Sequence, residues 1–379
     1  MILGLLYFYI TIFTIYFIAL TIFSMKRERK HRDKYTPRDA NICVVVYATG
    51  SCRTLDFLIK QLQSQNYPRQ NYTIYVILDK CILPSDVTLQ TEENVQVIKI
   101  DNLEPVGRSQ AYSIIAEKMQ NVQDLDAYVF LNSKYYVDSE FLRNINFYLT
   151  KNDIFMPSVD FITEDKQLTF LQKIKSVYAR YCSEFILRSR EKMRFSNVLN
   201  ADAFVIKREL LNKLDDFDFR NIISEMNYTY KLAKEGVSVA NTRDCKVYTD
   251  ITNFEFRTPS LTKRIGLFWS NILKPQPFIA REFLLSMIAP NWLVFILVYL
   301  LLLQNSYIFP FIVSYSKIFI TALVLLIAFC ISLLKAELYF KECLFLFMYP
   351  ILSIGRLIYN FPPIRGIRNI FAKTTHKHV

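Results

Sequence analysis

ICVVVYATGSCRTLDFLIKQLQSQNYPRQNYTIYVILDKC, residues 42–81, sets two short apolar runs, 42–47 and 73–78, on either side of a segment in which Leu55, Leu58, Ile59 and Leu62 recur. Runs of that length rich in β-branched residues read as buried strands, and the intervening spacing reads as one face of a helix. The pattern continues downstream with apolar runs at 95–100 and 127–131 and a helix-period segment at 109–119. Such alternation predicts an α/β fold with a mainly parallel sheet. Nucleotides bind these sheets beyond the carboxyl ends of the strands. The polar residues that close each run are therefore the candidates: Thr49 with Gly50, Asp79, and the triplet Asn132, Ser133, Lys134.

This block lies between apolar termini. Residues 1–24 carry no charged side chain, and about 20 apolar residues are enough to cross a hydrocarbon core. Lys26, Arg27, Arg29, Lys30, Arg32 and Lys34 follow the stretch, the reverse of a cleaved signal peptide, whose basic residues come first. Basic flanks stay inside, so residue 25 onward is expected in the cytoplasm. Near the other end, 283–303 reads as one span and 318–334, with an extension back to 307, as a second. The stretch 338–361 contains Lys341, Glu342, Pro350 and Arg356, and Arg365, Arg368, Lys373 and Lys377 follow it. A basic tail is held inside, which favours an amphipathic or re-entrant segment over another span. The expected organisation is a membrane anchor at 1–24, a cytoplasmic domain at 36–275, a membrane region at 278–361 and a basic cytoplasmic tail at 362–379. The chain is thus expected to be a multi-pass protein of the cell (inner or plasma) membrane, with one N-terminal and two to three C-terminal transmembrane or interfacial helices.

The formal charge of +12 raises the question of nucleic acid. Its basic residues crowd the flanks of apolar segments, where an anionic leaflet attracts them, and there is no interleaving of aromatic and basic residues of the kind that holds single strands. No nucleic-acid partner is expected. The seven cysteines include no C-x-x-C pair and no zinc spacing, so reduced cytoplasmic thiols are the simple reading.

The string at 42–81 resembles the opening of the family 2 glycosyltransferases, inverting sugar transferases of the GT-A fold that include membrane-bound cellulose, chitin and hyaluronan synthases. VGRSQAYSIIAEKM resembles that family's helix opened by a basic residue, and DAYVFLNSKYYVDSEFL its strand ending in Asp-x-Asp. LNADAFVIKRELL is similar to the acceptor-side segment, ISEMNYTYKLAKEGVSVA to the helix that begins with Glu-Asp, and LTKRIGLFW to the Gln-x-x-Arg-Trp region. The resemblance implies a nucleotide-sugar donor, a UDP-sugar first, and a glycan or lipid acceptor. It assigns Asp79 to the base of the nucleotide, Arg108 to base and diphosphate, Asp202 to the acceptor and Arg264 to the diphosphate.

Several positions depart from the family pattern. A divalent cation, Mg or Mn, is expected to bridge the diphosphate through the paired carboxylates, yet Asn132, Ser133 and Lys134 occupy that register. A lysine cannot ligate a cation. Either its ammonium stands in for the metal or it is a surface charge. No metal ligand is assigned. Met226 falls where the base aspartate belongs, leaving Glu225 as the candidate general base or simply an acid favoured by the first turn of a helix behind Ser224. Thr163-Glu164-Asp165 lies too early to supply the base. Leu261 and Ile265 replace the Gln and Trp that flank Arg264, so Arg264 is a diphosphate contact or a flank charge. Asn200-Ala201-Asp202 replaces a Gly-rich stretch, and Asp202 either meets acceptor or caps a turn. Two functions remain open: a membrane-bound glycosyltransferase, or a catalytically inactive relative that serves as a binding or assembly subunit beside a partner synthase.

Overall fold

The computed structural model describes residues 2–26, 38–52, 54–82, 94–100, 105–119, 122, 124–162, 168–214, 225–251, 261–289, 295, 299–304, 315–339 and 341–349. Ser224, the 163–165 triplet, and most of 338–361 and the basic tail therefore lie outside the described residues. The chain forms two compact units. One comprises Lys26–Asp165 and Ile186–Ile288, the other Met1–Met25, Lys166–Phe185 and Ala289–Val379. The first unit thus omits 166–185 and runs on to 288.

The first unit is built on an eight-stranded sheet in the order β3-β2-β1-β4-β7-β6-β8-β5. Its strands are β1 (Ile42–Ser51), β2 (Tyr72–Ile82), β3 (Val95–Ile100), β4 (Ala127–Asn132), β5 (Tyr136–Val137), β6 (Ile154–Phe161), β7 (Ala203–Lys207) and β8 (Ala240–Thr249). The first four pair in parallel. Beyond them β7 runs antiparallel to both β4 and β6, β6 and β8 are parallel, and β5 is antiparallel to β8. The sheet is mixed, so the expected parallel arrangement holds for the half that the opening sequence specifies. Its farther half is built from strands whose sequence gave no direction, because alternation of residue types fixes a strand but not its polarity.

Burial on both faces explains the continuous apolar runs. Val44, Val46 and Ala48 of β1 face a core closed by Leu55, Leu58, Ile59 and Leu62 of helix α2 (Leu55–Gln63). Cys43, Val45 and Tyr47 face the opposite core, where helix α3 (Arg108–Lys118) contributes Ala111, Tyr112, Ile115 and Ala116. Helix α4 (Phe141–Leu149) joins the first core.

Several further helices follow: α5 (Phe170–Tyr181), α6 (Arg188–Lys192), α7 (Arg208–Lys213), α8 (Glu225–Lys234), α9 (Leu261–Asn271) and α10 (Phe278–Met287). A π-helical turn, Cys182–Leu187, lies between α5 and α6. Helix α8 turns Tyr228 and Leu232 to the second core and Met226, Tyr230 and Ala233 to a smaller cluster with Ala280, Phe283, Leu284 and Met287 of α10.

Of the span expected over 283–303, residues 290–294 and 296–298 lie outside the described residues, and its first residues belong to helix α10. Helix α10 ends at Met287, with Phe283 and Leu284 fully buried in the sheet-bearing unit. Its Glu282 accepts two hydrogen bonds from Arg190, Nη1 to Oε1 at 2.7 Å and Nη2 to Oε2 at 3.0 Å. A buried carboxylate needs such a partner.

In the second unit, helix α1 (Ile2–Met25) and helix α11 (Tyr315–Lys335) pack together. Both are long and apolar enough to cross a membrane, over Gly4–Met25 and Ser316–Lys335. Polar contacts also tie this unit: Thr14 Oγ1 lies 2.9 Å from Tyr299 Oη, and Tyr181 Oη lies 3.0 Å from Ser332 Oγ. Glu342, one of the charges that argued against a span at 338–361, forms an ion pair with Arg180 of α5. Removing one member of a buried ion pair strands the other charge at a cost of about 3–5 kcal/mol. Arg190→Ala or Glu282→Ala is therefore expected to lower the unfolding free energy by about that amount, and Arg190→Met with Glu282→Leu by less than either alone, measured by denaturant unfolding in detergent.

Candidate functional site

Three parallel strands, β1, β2 and β4, end side by side, and their closing residues meet the start of α3, the segment before β7 and the start of α8. Asp79 ends the regular part of β2 opposite Thr49. Its side chain is completely buried. Tyr47 Oη donates to its Oδ2 at 2.8 Å, Gly107 N–H to the same oxygen at 2.9 Å and Val106 N–H to Oδ1 at 3.1 Å. Gly107 takes φ +83, a left-handed conformation that glycine adopts without a Cβ penalty. The Asp79 carboxylate thereby fixes the backbone that delivers Arg108 as the first residue of α3. Thr49 is exposed at the edge of this arrangement.

Arg108 reaches across to two acids. Its Nη1 donates to Asp202 Oδ1 and its Nη2 to Glu225 Oε1, the latter at 2.9 Å. Lys134 Nζ donates to Asp202 Oδ2 at 2.9 Å. Asn132 Nδ2 adds a 3.4 Å contact to Asp202 Oδ1. The β4–β7 pairing produces this meeting, because Leu131 lies opposite Ala203 and the Asn132 N–H bonds the Asp202 carbonyl at 2.8 Å. Glu225 Oε1 also accepts from Ala201 N–H at 3.2 Å. All four charged side chains are largely enclosed, Lys134 the least, with 21% of its side chain exposed.

The Glu225 carboxylate therefore points into the cluster, whereas Met226, in the register of the family base, is buried against α10. Adjacent helical side chains diverge by about 100°. Helix α8 is set so that its first residue, not its second, faces the strand ends, and Thr229 helps to dock it by donating to the Glu225 carbonyl and accepting from Leu199 N–H. The structure thus gathers Asp79, Arg108, Asn132, Lys134, Asp202 and Glu225. Arg264 lies on α9, where its Nε donates to the Met287 carbonyl at the end of α10 at 2.5 Å.

Burial works against the Arg108 charge, but Asp202 and then Glu225 more than offset it, and its pKa lies above the usual arginine value. Burial, followed by the hydrogen bond to Asp79, raises the Tyr47 hydroxyl well above the ordinary tyrosine range. Tyr47 was not singled out in the sequence. Its signal was parity, since it shares the face of Val45 and Cys43, the side on which Asp79 also lies.

The donor set does not suit the divalent cation that the family resemblance implies. Both Asp202 oxygens are held by cationic side chains, one by Arg108 and the other by Lys134, and an ammonium cannot ligate a cation. Among the described residues no group of three or more His, Cys, Asp or Glu is placed to hold a metal ion.

The sequence reading also took every cysteine as a reduced thiol. Instead, the structure joins Cys52, just beyond β1, to Cys81 of β2. The pairing was not legible because it depends on strand register, not on spacing.

No family model matches the chain, and no curated protein matches it. Among solved structures it is similar to the mannosyltransferase PcManGT from Pyrobaculum calidifontis in complex with GDP-Man and Mn2+, at 12% identity over 98% of this chain and 96% of that one, TM-score 0.47. It is also similar to S. aureus TarS 1-349, at 12% identity over 65% of this chain and 70% of that one, TM-score 0.41. The TarS 1-349 complex with UDP-GlcNAc gives 13% identity over 65% and 71%, TM-score 0.40.

Tyr47→Phe removes one hydrogen bond to a buried carboxylate and is expected to cost about 1.5–3 kcal/mol. Below the unfolded tyrosine pKa of about 10 the wild-type hydroxyl is protonated in both states and its contribution is complete. Above it the unfolded chain ionises while the buried hydroxyl resists, so stability falls as pH rises. Urea unfolding between pH 8 and 11 is expected to show a shallower alkaline decline in Tyr47→Phe than in wild type.

Proposed function

We propose that the protein is a membrane-bound, family 2-like glycosyltransferase of the GT-A fold that binds a nucleotide-sugar donor, a UDP-sugar first. Two fixed side-chain cations, Lys134 and Arg108, take the charge that a divalent ion carries in the family it resembles. The observation that carries this reading is the convergence of both cations on Asp202, at the carboxyl ends of parallel strands, with Glu225 turned toward them. Strand ends of this kind are where α/β sheets bind nucleotides. Fixed donors aimed at a developing diphosphate lower its energy without reorganising as charge builds. The motif resemblance supplies the sugar-transfer chemistry, and the apolar helices α1 and α11 support action at a membrane.

In this reading the diphosphate takes over the hydrogen bonds that Lys134 and Arg108 now give to Asp202. Glu225 accepts the proton of the acceptor hydroxyl, on a glycan or a lipid, as that oxygen bonds the anomeric carbon from the face opposite the leaving group. The carbon–oxygen bond to the diphosphate breaks and its electron pair leaves with the nucleotide. Arg108, oriented by the loop that Asp79 holds, positions the Glu225 carboxylate through its 2.9 Å hydrogen bond.

A second reading is favoured by the charge balance of the same cluster. Two cations are matched by two carboxylates, so the site is satisfied without a ligand, as suits a binding or assembly subunit that works beside a partner synthase.

Detergent-solubilised full-length protein titrated with UDP, UDP-sugars and GDP-sugars, with and without manganese, separates the readings. UDP binding unaffected by manganese is expected, and Lys134→Ala is expected to weaken it by about 1.5–3 kcal/mol, roughly 10- to 150-fold. Sugar transfer that is lost in Glu225→Gln while UDP binding persists supports the enzyme. Binding without transfer supports the assembly subunit, manganese-dependent transfer overturns the fixed-cation centre, and no nucleotide affinity in any condition overturns both.

A further inference from the structure

Strand β2 leaves its register at Lys80. Thr49 pairs with Asp79 but Gly50 pairs with Cys81, so Lys80 is an additional residue on β2, and it takes φ +48. Side chains alternate between the faces of a strand, and one inserted residue sends every later side chain to the opposite face. Asp79 accordingly stays with Tyr47 on the α3 side, while Cys81 turns to the α2 side and packs against the core that contains Cys52. Without the bulge the Cys81 thiol would project beside Asp79. The extra residue is what brings the two cysteines together, with their Cα atoms 6.3 Å apart, inside the span a disulfide bridges.

The surroundings place this pair at the candidate site. Cys52 is buried, and its Sγ lies 3.5 Å from the Thr49 carbonyl and 3.6 Å from that of Gly50. Ser133 Oγ is 3.9 Å from the same sulfur, and Thr54 Oγ1 donates to the Ser133 carbonyl at 2.6 Å. Ser133 stands between Asn132 and Lys134. The pair therefore touches all three strand ends that present Thr49, Asp79 and Lys134. Cys81 is only half-buried, which gives a soluble disulfide access to one of the two sulfurs.

We propose that Cys52 and Cys81 are a reversible redox modification site, a dithiol–disulfide clasp on the mouth of the nucleotide site. The regulatory part of this proposal rests on the nucleotide reading above. The co-reactant is a small disulfide of the glutathione class. The Cys81 thiolate attacks glutathione disulfide, forming a mixed disulfide and releasing one glutathione thiolate. The Cys52 thiolate then displaces the second. The protein gives up two protons and two electrons, and one glutathione disulfide becomes two glutathione molecules. Oxidation pins the end of β1 to the end of β2 and, through Ser133, holds the Lys134 segment against both. A site held in its binding geometry binds more tightly because less freedom is lost on association. Oxidised protein is therefore the high-affinity form, and the reduced form keeps only the strand ladder to hold Thr49 beside Asp79.

The test equilibrates full-length protein in detergent with glutathione redox buffers, traps free thiols by alkylation, and maps the peptides by mass spectrometry. The expected result is a Cys52–Cys81 cross-linked peptide under oxidising buffer that disappears under reducing buffer, with UDP binding at least about 5-fold tighter in the oxidised form. Cys81→Ser and Cys52→Ser are each expected to abolish the redox dependence of UDP affinity, with folding checked by circular dichroism. Absence of the cross-linked peptide under oxidising buffer overturns the proposal. So does a cross-link that leaves UDP affinity unchanged or lowers it. A reversible cross-link with no UDP binding in either form supports the redox pair and sinks the nucleotide reading instead, so the two failures are distinguishable.

Discussion

The carboxylate of Asp202 holds the centre of the site together. It accepts from Arg108 on one oxygen and from Lys134 on the other, and so links the start of α3, the turn after β4 and the segment entering β7. None of these segments is close to the others in sequence. Each charge alone would be costly to enclose. Together they are tolerated because every cation finds a carboxylate, and the same requirement fixes where α3, β4 and β7 can lie relative to one another. The antiparallel entry of β7 beside β4 follows the same logic, since it sets the Asp202 carbonyl opposite the Asn132 N–H.

A second buried carboxylate governs the approach to this centre. Asp79 spends its oxygens on the Tyr47 hydroxyl and on the N–H groups of Val106 and Gly107. In the family it resembles that position belongs to the nucleotide base, but here its partners are the protein's own. Its effect on any ligand runs through Arg108, whose place at the head of α3 depends on the loop that Asp79 ties down. The bulge at Lys80 then separates two jobs along one strand. Asp79 serves the face with α3, and Cys81, two residues on, serves the face with α2.

The strands and helices of residues 42–132 were legible because each apolar run is buried on both sides and each amphipathic segment covers one of those sides. Strand direction beyond β4 was not legible, since nothing in the alternation of β6, β7 and β8 encodes polarity. Thr49, Asp79, Asn132 and Lys134 stand out by their place after a strand, and Arg108, Asp202, Glu225 and Arg264 only by the family resemblance, while the partners of none of them are legible. Asp202 was read as an acceptor contact or a turn cap and is the hub of an ion network. Glu225 was weighed as a mere first-turn acid, and the rotation of α8 that turns it inward is set by Met226 and Tyr230 packing on α10, a contact invisible from helix period alone. At the start of the stretch 283–303, apolar residues that bury in the sheet-bearing unit look the same in sequence as residues facing lipid, and Glu282, with its partner Arg190, marks the difference.

The charge balance of the centre constrains how any diphosphate could enter it. Among the described residues Arg108 and Lys134 contribute two positive charges, and Asp202 and Glu225 two negative ones, so these four side chains balance one another. Bringing a phosphate oxygen to about 4 Å from the Asp202 carboxylate costs about 4 kcal/mol per charge pair at an effective dielectric of 20, more than one charge-assisted hydrogen bond returns. A ligand that merely added itself to the present arrangement would gain little. Under the proposed function, donor binding must therefore move Asp202 away from at least one of its cations as the diphosphate takes its place. A metal centre avoids this step, because its carboxylates bind the ion and the ion binds the phosphate, with no exchange between them. Under that proposal, with Lys134 in the ion's role, the acid competes with the substrate. The affinity of the site is then set by how readily the segment bearing Asp202, tied to Asn132 by a backbone hydrogen bond and to Asn200 by a side-chain contact, gives way.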